Sequence, residues 1–95
     1  MSADPDERRK PTAARPLVAE AMSDLPARLR EARMDRGHSL QSWADHLTGL
    51  GYPIHKSRVQ AYENGSDVPH VAYVLAVHLV ARRSLEWLMK GRGDS

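Results

Sequence analysis

The sequence predicts an all-α fold, and three observations carry that reading. Apolar residues recur at helical spacing, most clearly at Leu40, Trp43, Ala44 and Leu47. Residues that open helices stand ahead of such segments, at Asp24 with Pro26, at Ser39, at Pro69 and at Ser84. Glycines close them, at Gly37, Gly49 and Gly51, Gly65 and Gly91. Five short helices over residues 24–91 follow from this punctuation.

Residues 1–23 hold three of the six prolines, Pro5, Pro11 and Pro16, among charges and small residues. That mixture does not pack a core of its own. The expectation is a mostly disordered N-terminal arm in which Leu17, Val18, Ala21 and Met22 are spaced for one or two helical turns over 17–22. Helix one begins at Asp24 with Pro26 in its first turn, carries Leu25, Leu29 and Ala32, and stops at Gly37. Helix two follows its cap Ser39 and is broken by Gly49 and Gly51. Tyr52-Pro53 then keeps the chain out of helix, because a residue before proline is driven toward extended backbone.

The third helix, about Lys56 to Asn64, has only Val59 and Tyr62 as clear apolar anchors, with Ala61 at the margin. Its outer face carries Lys56, Ser57, Arg58, Gln60 and Glu63, and a short polar helix of this kind rarely stands alone. Asn64-Gly65 suits a left-handed C-terminal cap. Val71 to Ala81 is apolar nearly all round, which predicts a helix buried on several sides and acting as hub of the core. Ser84 caps a fifth helix with Leu85, Leu88 and Met89 inward or at an edge, and Arg92 to Ser95 form a loose tail.

Composition narrows the function. The 95 residues suffice for one domain, and the absence of cysteine excludes disulfides, thiol nucleophiles and Cys-ligated zinc and suits a reducing cytoplasm. The run Val71 to Ala81 is too short to span a bilayer, so no membrane association is expected. The net charge of +2, from 14 Lys plus Arg against 12 Asp plus Glu, argues only weakly for nucleic acid. Lys56 and Arg58 sit without an acidic neighbour between them, whereas Arg28, Arg30, Arg33 and Arg36 are interleaved with Glu31 and Asp35. The five histidines show no metal-ligand spacing, and no nucleophile and base, paired carboxylates or phosphate-binding loop can be named. The expectation is no metal, no cofactor, no small-molecule ligand and no enzymatic activity.

Five ordered pieces of the chain carry a resemblance. They are Leu29-Arg30-Glu31-Ala32-Arg33 with Gly37; Ser39-Leu40-Gln41-Ser42-Trp43-Ala44; Val59-Gln60-Ala61-Tyr62-Glu63-Asn64-Gly65; Pro69; and Ser84-Leu85-Glu86-Trp87-Leu88. Over Leu25 to Lys90 the chain resembles the lambda-repressor-like family of helix-turn-helix DNA-binding domains, also called the Cro or xenobiotic-response-element (XRE) family. The resemblance implies a five-helix domain whose third helix enters the major groove. By matching position it places Lys56, Ser57 and Ala61 toward the groove, with Arg58 and Gln60 beside them. The helix N-terminus at Ser39 is suited to a phosphate oxygen, and Arg58, Arg33 and Arg36 are the expected basic contributors to backbone contact.

Three features depart from the family's pattern. Thr48 to His55 makes the connection between helices two and three about five residues longer than the usual tight turn. Leu40 replaces a phosphate-binding Gln, leaving Gln41 as its substitute. Arg82-Arg83 stand where a Gly and an apolar residue are common. Duller roles compete: Glu63 as a tie to a neighbouring helix or a cap, Trp43, Tyr62 and Trp87 as core or core edge, and Arg82-Arg83 as a solvated helix end or a phosphate clamp.

The function expected is a sequence-specific double-stranded DNA-binding transcriptional regulator, cytoplasmic and nucleoid-associated, repressing as a homodimer on a palindromic operator. Helix five, with Trp87 and Met89, and the segment Leu17 to Met22 are alternative dimer surfaces. The basic triplet Arg8-Arg9-Lys10 is an alternative minor-groove arm. The rival reading is a protein-interaction module on the same fold, an antitoxin or adaptor; a general nucleoid binder is a third.

Overall fold

The computed structural model describes residues 14–91, with side chains from residue 23 onward. Five helices, and no strand, occur among the described residues: α1 Ala14–Asp35, α2 Leu40–Gly49, α3 Lys56–Asn64, α4 Val71–Ala81 and α5 Leu85–Lys90. None is long and apolar enough to cross a membrane. The tail Arg92 to Ser95 and the triplet Arg8-Arg9-Lys10 lie outside the described residues.

The first helix departs from the sequence expectation. It starts at Ala14 and runs unbroken through Pro26, so residues expected in the arm are helical from Ala14 on. Pro26 has no N–H to give to the carbonyl four residues back, a loss that ordinarily marks a helix start and is the reason the local pattern predicts a new helix at Asp24. Asp24 does not cap. Its carboxylate faces Arg28 one turn on, at 3.8 Å.

The remaining boundaries follow local chemistry. Ser39 Oγ accepts the Ser42 N–H at 3.1 Å, and Ser84 Oγ accepts the Trp87 N–H at 3.0 Å, each closing a free amide at its helix start. Gly65 takes φ +82° after α3, which only glycine does at low cost. At the end of α4 the same left-handed turn is made by Arg82, φ 60°, where a glycine would be unstrained.

α1 is the spine, packing against α3, α4 and α5, while α2 packs on α3 and α5 on α4. The core gathers Leu25, Leu29 and Ala32 of α1 with Trp43, Leu47, Val59, Tyr62, Tyr73, Val77 and Leu88. Trp43 Nε1 donates to the Tyr73 hydroxyl at 3.1 Å, so two large aromatics are buried without stranding a polar group. Burial holds the Tyr73 phenol well above its ordinary pKa, with the Trp43 hydrogen bond opposing and the Glu63 charge adding to the shift.

The expectation that α4 is buried on several sides fails. Tyr73, Val74, Val77 and Ala81 face inward, but Val71, Leu75 and Leu79 are exposed. A uniformly apolar helix carries no periodic signal from which its buried face can be read.

Candidate functional site

Three arginines, Arg28, Arg83 and Arg33, are buried and make contacts within the protein. Arg28 donates from Nε to the Leu88 carbonyl at 2.7 Å and from Nη2 to the Met89 carbonyl at 3.1 Å, placing a cation at the C-terminal end of α5. It also presses on Gly91, where an added Cβ would meet Arg28 Nη1 at 3.2 Å. Arg83 binds the carboxylates of Asp35 and Glu31 and lies 4.0 Å over the Trp87 ring, so it is neither solvated nor a phosphate clamp.

Arg33 corrects the site expected from sequence. Its guanidinium makes a two-pronged bond to Glu63, Nε to Oε2 at 2.9 Å and Nη2 to Oε1 at 2.8 Å, while Nη1 donates to the His38 carbonyl at 2.7 Å. Both side chains are inside, at 8% and 5% exposure. The Glu63 hydrogen bond raises the Arg33 pKa further, against the cost of burial. Arg33 is thus not available to a phosphate. Instead the pair fastens α3 to α1, the structural role anticipated for Glu63.

The rest of α3 is presented outward. Val59 and Tyr62 are fully buried beneath it, and Lys56, Ser57, Arg58 and Gln60 are exposed on the outer side, with Ala61 half-buried. Arg58 pairs with Asp67 at 3.2 Å across an exposed surface, a contact that holds it only weakly. Ser39 and Gln41 lie at the start of α2. Ser39 is engaged as the helix cap, and Gln41 donates to Asp45 Oδ1 at 3.0 Å within one turn. Arg36 is exposed in the turn between α1 and α2, and Leu40 packs against the core.

The long connection is ordered by Thr48, Tyr52 and His55. Six residues, Leu50 to His55, separate α2 from α3. Thr48 Oγ1 reaches across them, accepting the Ile54 N–H at 3.2 Å and lying 3.3 Å from the Ile54 carbonyl. Tyr52 folds back toward Tyr73, their ring centroids 6.2 Å apart. His55 caps α3: its Nδ1 accepts the Ser57 N–H at 3.1 Å, which requires the proton on the other ring nitrogen when the ring is neutral. Histidine is not a usual capping residue, so only the position ahead of a polar helix could have flagged it.

Beside this cap Tyr52, Ile54, His55, Arg58 and His70 line an open cleft of about 390 Å³. Among the described residues no cluster of three histidine or carboxylate side chains converges as metal ligands. The outer side of α3 thus presents hydrogen-bonding side chains and two cations, Lys56 and Arg58, to solvent. Compared with known protein families, characterised proteins and solved structures, the chain matches none of them.

Proposed function

We propose that this protein is a sequence-specific double-stranded DNA-binding transcriptional regulator in which α2 and α3 act as a helix-turn-helix and α3 enters the major groove. The observation that carries the reading is the outer face of α3. It is a nine-residue helix held by Val59, Tyr62 and the Arg33–Glu63 pair, leaving Lys56, Ser57, Arg58 and Gln60 outward. A groove-reading helix needs that combination of buried anchorage and polar leading edge. Lys56 is suited to guanine and Gln60 to adenine, while Arg58 and Arg36 serve the phosphates. A two-fold dimer on a palindromic operator would extend the few base pairs one module reads, and occlusion would give repression.

A second reading is favoured by one observation: Asp67 and Asp45 sit against Arg58 and Gln41 and thin the positive charge of this surface. On that reading the same fold is a protein-interaction module. Selection from a randomised duplex pool, repeated with Lys56→Ala and Gln60→Ala, decides between them. The DNA reading expects an enriched motif whose preference changes in the variants and an affinity that falls steeply with salt. No enriched motif, or a motif indifferent to both substitutions, overturns it.

A further inference from the structure

Six of the eight large apolar side chains exposed among the described residues belong to one surface. Val68, Val71, Leu75, Leu85 and Met89 line a single groove of about 480 Å³ between α4 and α5, and its lining includes no charged side chain. The sixth, Leu79, continues the row Val71, Leu75, Leu79 along α4 at i, i+4 and i+8.

We propose that this surface is a homodimer interface in which the α4 row of one copy seats in the α4–α5 groove of its two-fold mate. Rows at i±4 are the ridges that fit the grooves of an equivalent helix, and a two-fold brings one patch onto itself. From their fractional exposures the six residues present roughly 600 Å² per copy, so complete covering would bury about 1,200 Å² across a symmetric pair, the lower edge of a specific interface. On an isolated monomer a patch of that size is at the upper end of what is usual. α5, which supplies Leu85 and Met89 to the patch, carries both signs of charge, Glu86 in its first turn and Lys90 in its last. The inference deepens the reading above, which calls for a two-fold dimer, and assigns the contact to α4 with α5.

Sedimentation equilibrium of the full chain without DNA reads it directly. A dimer is expected at micromolar concentration. The double variant Val71→Glu with Leu79→Glu, chosen because these side chains are 85% and 64% exposed, is expected to associate at least about tenfold more weakly while keeping its far-ultraviolet circular dichroism. Independently of whether that variant folds, Leu75→Cys in this cysteine-free chain is expected to form a disulfide-linked dimer on oxidation. A monomeric wild type, a double variant that dimerises as tightly as wild type, or an apolar surface occupied only by a different protein overturns the proposal. A monomeric wild type that still selects a duplex overturns the interface and leaves the DNA reading standing. A dimer that selects no duplex does the reverse.

Discussion

α3 and α4 sit next to one another in the chain and are built in opposite ways. α3 has two buried apolar side chains, Val59 and Tyr62, and is fixed by the Arg33–Glu63 pair. α4 has four buried residues and no ion pair from its own residues, yet it leaves Val71, Leu75 and Leu79 in solvent. Anchorage and exposure are therefore separate matters. A polar helix can be tied to its neighbour by a buried ion pair, and an apolar helix can leave a row of large side chains exposed. The outward chemistry of each helix, rather than its average composition, indicates what it is suited to meet.

The largest effect should come from breaking the tie beneath α3. Arg33→Ala leaves the Glu63 carboxylate buried without its partner, and a loss of about 3–5 kcal/mol in urea unfolding is expected. Replacing both partners with methionine should recover most of that loss, because a buried pair costs nearly as much to desolvate as it returns. If Arg33→Ala costs no more than an exposed pair such as Arg58 with Asp67, α3 is held by its apolar anchors alone.

Within α4 the contrast between two apolar positions is the next test. Val77→Ala opens space in the core and should cost on the order of 2 kcal/mol, whereas Leu79→Ala should stay within about 0.5 kcal/mol in the monomer. Equal costs would mean that α4 has no open side.

On the outer face of α3, Lys56→Ala and Gln60→Ala should each change discrimination at one base pair by about 1–3 kcal/mol and leave thermal stability unaltered. Loss of stability without change in preference would make those side chains part of the scaffold.

Alkaline unfolding probes the α2–α4 contact. The Tyr73 phenol has a pKa raised by burial, so the unfolded chain ionises first as pH rises. Its contribution is complete below about pH 10 and is lost as pH climbs toward the folded value. Tyr73→Phe should flatten that decline in a urea-midpoint series from neutral to strongly alkaline pH, even though it forfeits the Trp43 hydrogen bond. The smallest effect expected is a gain: Arg82→Gly relieves a left-handed arginine and should raise stability by roughly 0.5–1 kcal/mol, less what glycine's looser unfolded chain takes back.

Much of the helical frame was legible in the sequence because it is set locally. Ser39, Ser84 and Gly65 act within one turn of themselves, so α2, α3 and α5 fall where their caps and stops put them. Of the α3 residues expected on the outer face, Lys56, Ser57, Arg58 and Gln60 are there, but Glu63 turns inward to Arg33, a contact that spacing within one helix does not reveal. Pro26 misled because a proline's local preference for a first turn does not say whether a helix already precedes it. Arg33 misled because its partner, Glu63, is 30 residues away.

The sequence alone thus determined helix type, most helix ends and the polar edge of α3, all properties of interactions within a few residues. Only the tertiary structure decided which arginines are internal, that α1 rather than α4 is the spine, and which side of α4 stays open. Those outcomes depend on contacts between segments distant in the chain. A charge or an apolar side chain has the same intrinsic chemistry buried or exposed, and only its neighbours in space settle which it will be.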